Sequence, residues 1–161
     1  MDKDSSVETL ERQLVAAFPA AVIDREMIDE PTARWLGYAK YPQLAELEGK
    51  TWLDVTEDWL WRNPMLLGFV GDGLWRAVLP AYLRYLLHEH DEWNSLPTHV
   101  AGWLTRKGDL ISRFDRRLAL LSAAERAAIH DVVSRLSTRL RMQEAMSRAL
   151  ATWDELQGAK G

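Results

Sequence analysis

The chain has 161 residues, 47% of them hydrophobic and 27% charged, with a net charge of −4 and no cysteine. That length and balance predict one domain with its own core and exclude wholesale disorder, disulfides and thiol chemistry. The polar start MDKDSSVETLERQ lacks the apolar core of a signal peptide, and no run approaches a membrane span, so a cytoplasmic protein is expected.

Ser5–Ser6–Val7–Glu8 has the S-x-x-E form of a capping box, which predicts a helix turning Val7, Leu10, Leu14 and Phe18 inward and stopping at Pro19. From Ala20 to Tyr41 the periodicity weakens. Pro31, Gly37 and Pro42 punctuate a stretch that mixes the acids Asp24, Glu26, Asp29 and Glu30 with Trp35, Tyr38 and Tyr41. A loop with a short helical turn is expected there. Gln43–Glu48 reads as a short helix ended by Gly49, and Thr56 as the cap of a helix that Asn63–Pro64 ends. The apolar Met65–Val70 predicts a buried turn or a strand-like link.

The stretch Asp72–His90 carries the strongest signal. Trp75, Val78, Leu79, Tyr82 and Leu86 follow the spacing of a helix buried along one side, with Asp72 as expected N-cap and a kink expected at Pro80. Ser95 then caps a helix with Pro97 in its first turn, running to about Arg106, and Asp109–Leu120 predicts another. Ser122–Ala123–Ala124–Glu125 is a second capping box. It opens the apolar pattern Ile129, Val132, Val133, Leu136, Leu140, Met146, Ala149, Leu150, Trp153. Unbroken to Leu156, this would make a helix of about 50 Å. Ser137–Thr138 is a candidate interruption, so one helix and two both remain open. The expected fold is all-α: a single-domain irregular bundle (1–161, core about 5–157) around a central Pro-kinked helix, with a long C-terminal helix or helix pair. Of the eight tryptophans, Trp59, Trp75 and Trp153 sit at core positions, and one or two others are expected at the surface.

Leu74–Leu87 (LWRAVLPAYLRYLL) followed by Phe114–Leu136 resembles an uncharacterised bacterial family known only as a domain of unknown function. That family pairs a Y-L-P-A-Y-L-like helix with a later F-x-x-L-T-x-x-Q-R-x-A-I helix start. Val78–Leu83 fits the first, with Val78 where an aromatic is usual. Leu121–Ser122 and Glu125–Ile129 approximate the second, with Glu125 where glutamine is usual. The likeness spans roughly residues 50–137 and carries structural motifs but no catalytic residue. The resemblance implies a small bacterial protein of a kind found as immunity partners of secreted toxins.

No assembled catalytic set is visible: neither G-x-S-x-G nor H-E-x-x-H occurs. His88–Glu89–His90–Asp91–Glu92 is the most ligand-like cluster, and a metal-dependent enzyme using His88, His90 and Asp91 is the first alternative. Two-residue spacing turns His88 and His90 apart on a helix, and a structural site wants more ligands than the cluster supplies. Gly68–Gly73 before the central helix lacks the Lys-Ser/Thr of a phosphate loop. The basic residues Arg106, Lys107, Arg113, Arg116, Arg117, Arg126, Arg135, Arg139, Arg141 and Arg148 give residues 105–148 a balance of +5. They make an arginine-mediated nucleic-acid regulator the second alternative, which a pI of about 5.6 opposes.

Residues 1–60 carry 13 acidic and 6 basic side chains. Such an acidic, aromatic-bearing region suits a basic protein partner. The expected function is a non-catalytic interaction module, an immunity protein or antitoxin that covers a toxin's active site, with no cofactor and no membrane. Its expected contacts are Asp29, Glu30, Trp35, Tyr38, Tyr41, Glu46 and Glu48. A homodimer through the C-terminal helix is a further expectation.

Overall fold

The computed structural model of the chain describes residues 3–30, 42–88, 95–139 and 142–158, the side chains of 3–6 and 109 excepted. Among them are the α-helices α1 (Lys3–Ala17), α2 (Arg25–Asp29), α3 (Glu57–Arg62), α4 (Asp72–Leu87), α5 (Leu96–Trp103), α6 (Ile111–Leu120), α7 (Ala123–Ser137) and α8 (Gln143–Gly158). Short 3-10 turns lie at Pro42–Leu47, Trp52–Asp54, Leu66–Gly68 and Gly108–Leu110, and no strand occurs among the described residues. The all-α expectation is met. No helix among the described residues is long and apolar enough to cross a membrane.

Helix α4 is the centre of the bundle, touching α1, α2, α3, α5, α6 and α7. The predicted stripe Trp75, Val78, Leu79, Tyr82 and Leu86 is buried, and so are Leu74, Ala81, Leu83 and Leu87. The helix is therefore buried on more than the one side that its spacing predicted, because neighbours pack around it. It runs through Pro80 as one element and ends at Leu87, with His88 as C-cap.

Two expected helix starts are corrected. Helix α1 begins at Lys3, so Ser5 lies inside it rather than at its cap. An S-x-x-E pattern also suits the exposed face of a helix already under way. The N-cap of α4 is Gly71, and Asp72 is its first helical residue. The acceptor for the helix start comes from elsewhere: the Glu30 carboxylate, past the end of α2, accepts the Gly73 backbone N–H at 3.2 Å. Asp72 turns instead to α6, accepting from Arg116 Nε at 2.9 Å and Arg117 Nε at 3.0 Å.

This arrangement requires the absent side chain of Gly71. A Cβ there would stand 2.5 Å from Glu30 Oε2, so any larger residue must push Glu30 off the helix start. Gly71→Ala is expected to cost about 1 kcal/mol, the value of a helix cap. In a Glu30→Ala background the same change should cost much less, since nothing is left to displace. Urea unfolding of the four proteins as a double-mutant cycle checks it, and additive losses would refute the link.

Of the other predicted starts, Thr56 and Ser122 cap as expected. Ser95 stands at the N-cap of α5 without a side-chain hydrogen bond. The helix expected from Asp109 begins at Ile111, after the Gly108–Leu110 turn. Thr56 Oγ1 accepts from Trp59 N at 3.1 Å. In the second capping box Ser122 Oγ accepts from Glu125 N, while the Glu125 carboxylate accepts from Ser122 N. Gly49 ends the Pro42–Leu47 turn at φ 81°, a conformation that favours glycine. Met65–Val70 forms a turn, not a strand-like link.

The C-terminal pattern resolves into two helices. After Ser137 the last turn tightens: Thr138 N bonds Arg135 O and Arg139 N bonds Leu136 O. The Ser137 and Thr138 hydroxyls take further end carbonyls, Ser134 O and Arg135 O. Helix α8 then packs on α7 and α5, burying Met146, Ala149 and Trp153 within the chain. That apolar stripe, on which a homodimer would depend, is thus already covered.

Three buried tryptophans find carbonyl partners at loop and helix ends, whereas the buried Trp75 Nε1 has none among the described residues. Trp52 Nε1 donates to Phe18 O, Trp59 Nε1 to Gln43 O, and Trp153 Nε1 to Leu104 O. Tyr82 donates to Asn63 O at 2.7 Å and packs edge-on against Trp103. Burial pushes its phenol well above the usual value, which keeps it a neutral structural donor.

Candidate functional site

The described acidic region is built from α2, the Pro42–Leu47 turn and α3. Residues 24–30 and 42–62 together carry nine acidic and three basic side chains, a balance of −6. Some of the acids first serve the backbone. Asp24 caps α2, accepting from Met27 N at 2.8 Å. Asp54 accepts from Thr51 N at 2.9 Å and from its hydroxyl at 3.1 Å. The Thr51 N–H, more than any other group, holds the Asp54 carboxyl below the usual carboxylate value.

The predicted contact residues fall into three groups. Asp29, Glu46 and Glu48 are exposed and tied to local arginines. Arg25 spans Asp29 at 3.1 Å and Glu48 at 3.5 Å. Arg62 meets Asp58 at 2.9 Å and Glu46 at 4.0 Å. Exposed ion pairs of this kind add little stability. Glu30 is half-buried and engaged at the start of α4. Trp35, Tyr38 and Tyr41 lie outside the described residues.

The structure supplies an aromatic that spacing alone did not single out. Trp61 is 43% exposed. Its place four residues after Glu57 and three after Asp58 puts it beside those two acids on α3. Its neighbours Trp59 and Leu60 are buried. Two inward residues set between exposed pairs mark it, once the helix start at Glu57 is known.

A groove of about 360 Å³ opens on the other side of α3, between α1 and α4. Glu11, Glu57 and Arg84 bring charge to it, and His88 Nε2 lies 2.7 Å from Glu11 Oε2. The remaining members of the ligand-like cluster, Glu89, His90, Asp91 and Glu92, lie outside the described residues. Among those described, no three His, Asp or Glu side chains are placed to hold a metal ion.

The arginines of the C-terminal half are mostly committed to the fold. Arg113 donates to Gly68 O, Arg126 to Leu118 O, and Arg139 to Leu86 O and Leu87 O at the end of α4. Each donates to a backbone carbonyl near a helix or turn end, the Leu118 carbonyl accepting from Leu121 N as well. Arg106 pairs with Asp115 at 2.8 Å. Arg117 is 3% exposed, donates to Val70 O and to Asp72, and lies over the Trp75 ring. Burial pulls its guanidinium down to about 10 against the opposing pull of Asp72, so it stays charged at neutral pH. Burial also works against the charge on Asp72. The hydrogen bonds from Arg116 and Arg117 outweigh it and hold the carboxyl below its usual value.

No family model, curated protein or solved structure matches the chain. The likeness to the domain-of-unknown-function family therefore rests on the motifs quoted above.

Proposed function

We propose that the chain is a non-catalytic interaction module, an immunity protein or antitoxin whose acidic α2–α3 face covers a basic surface on a toxin. The observation that carries this reading is Trp61, an exposed tryptophan one helical turn from Asp58, whose carboxylate Arg62 holds at 2.9 Å. Tryptophan supplies the buried area of an interface anchor. The surrounding charge steers a basic partner toward it and sets its register. The commitment of Arg113, Arg117, Arg126 and Arg139 to backbone carbonyls weighs against the nucleic-acid alternative, because those charges are partly spent within the fold.

The test is co-expression with the product of a neighbouring toxin-like reading frame that arrests growth. The wild-type chain is expected to restore growth and to co-purify with that product. Trp61→Ala combined with Glu46→Lys and Glu48→Lys should fold normally and lose both. Protection that survives the triple variant would overturn this face as the binding surface. Rescue by neither protein would overturn the immunity reading.

A further inference from the structure

We propose that the segment from Ile23 to Glu30 is a strap that opens and closes on the bundle as a unit, with Glu30 as its latch at the start of α4. One end of the strap is pinned. Ile23 is buried, donates its N–H to Lys50 O at 2.8 Å and accepts from Gly49 N at 2.8 Å. Between pin and latch lies α2, five residues long with none of them buried. Met27 and Ile28 pack only partly against the core, and the Arg25–Glu48 pair is exposed at 3.5 Å. A helix this short has no stability of its own. Few buried apolar contacts mark a segment that opens locally, well below the free energy of global unfolding.

The latch is one hydrogen bond between groups 43 residues apart, from Gly73 N–H to the Glu30 carboxylate at 3.2 Å. Gly73 lies in the first turn of α4, where backbone N–H groups have no acceptor within the helix. The first bond inside α4 runs from Trp75 N to Gly71 O. The start of a 16-residue helix also favours a negative charge. Closing the strap therefore satisfies an N–H of α4, and opening it returns that N–H to water. Glycine at position 71 leaves the space in which the latch sits, since a Cβ there would stand 2.5 Å from Glu30 Oε2.

Closure has a consequence for the acidic face. Asp29 stands on the strap and Glu48 stands off it, with Arg25 spanning the two. A closed strap brings these acids together, and an open one separates them. The biological sense of the device rests on the interaction reading, for which a closed strap pre-organises part of the contact face.

The experiment is native-state amide hydrogen exchange of the full chain, read by ¹⁵N–¹H NMR, and it needs no partner. Met27 N–H is held by Asp24 Oδ1 at 2.8 Å and Ile28 N–H by Asp24 O at 3.3 Å, so both report whether α2 is formed. These amides and that of Gly73 are expected to share one opening, faster than the global unfolding that frees Val132 and Val133 in α7. Glu30→Ala should abolish protection at Gly73. It should also speed exchange at Met27 and Ile28 about fivefold beyond any change at Val132 and Val133, the effect of losing one helix cap. Gly71→Ala alters nothing on the strap itself and should do the same by displacing Glu30. Unchanged exchange at Met27 and Ile28 in both variants overturns the latch. Exchange of these amides only together with Val132 and Val133 overturns the separate opening. Neither readout involves a toxin, so the strap and the acidic-face reading fail separately.

Discussion

Trp153→Ala is expected to cost about 3–5 kcal/mol of folding stability, while Trp61→Ala should cost under about 1 kcal/mol. The two residues are the same type on helices of the same chain, so burial alone separates them. Trp153 is 1% exposed, packs against Phe114 with ring centroids 6.3 Å apart, and donates from Nε1 to Leu104 O at 2.9 Å. Truncation removes a large apolar surface, leaves a cavity where α5, α6 and α8 meet, and strands a buried carbonyl. Trp61 stands 43% exposed and loses little water-excluded area when cut back. Against a total of roughly 5–15 kcal/mol for a domain, the first loss is a large share and the second is small. Urea unfolding midpoints check both. Equal shifts would mean that α8 is not docked through Trp153 as described.

The elements that sequence reasoning reached are those whose signals are local. The Ser122–Glu125 box pairs two residues within one turn, and both of its hydrogen bonds form. The apolar spacing of α4 needed only its own residues. What the sequence concealed depends on residues far apart. Nothing in Gly71–Asp72–Gly73 announces that the acceptor for this helix start is Glu30, 43 positions from Gly73. Asp72, freed from capping, anchors α6 instead. The C-terminal break carries neither glycine nor proline. Ser137–Thr138 marks its place in the sequence and α7 ends there, while the packing of α8 back onto α7 decides between one helix and two. The same holds for the arginines. Their sequence shows a positive balance, but the fold decides that Arg117 and Arg139 face carbonyls rather than solvent. Of the expected contact face, the acids Asp29, Glu46 and Glu48 stand where a partner can reach them. Trp61 was hidden among neighbours of the same type, because outward and inward tryptophans look alike until the helix phase is fixed.

Arg76→Met is expected to destabilise the fold by about 3 kcal/mol, and Arg76→Met with Glu125→Gln by clearly less than the sum of the two single changes. Glu125 is fully buried, at 0% exposure. Its carboxylate accepts from Arg76 Nε at 3.0 Å and Nη2 at 3.2 Å, and from Ser122 N at 2.6 Å. One carboxylate thus closes the capping box of α7 and ties that helix to α4. Removing the cation leaves a desolvated negative charge with a backbone N–H as its remaining support, the situation that costs about 3–5 kcal/mol. The lower end applies because the Arg76 side chain is 38% exposed, so water reaches the site once the guanidinium is gone. Neutralising both partners removes the uncompensated charge. The side-chain amide that Glu125→Gln introduces still offers an oxygen to Ser122 N, and most of the penalty should vanish. A double-mutant cycle in urea reads the coupling between α4 and α7 directly. A coupling near zero would show that the pair is incidental and that apolar packing of Ala128, Ile129 and Val132 alone fastens α7 to the bundle.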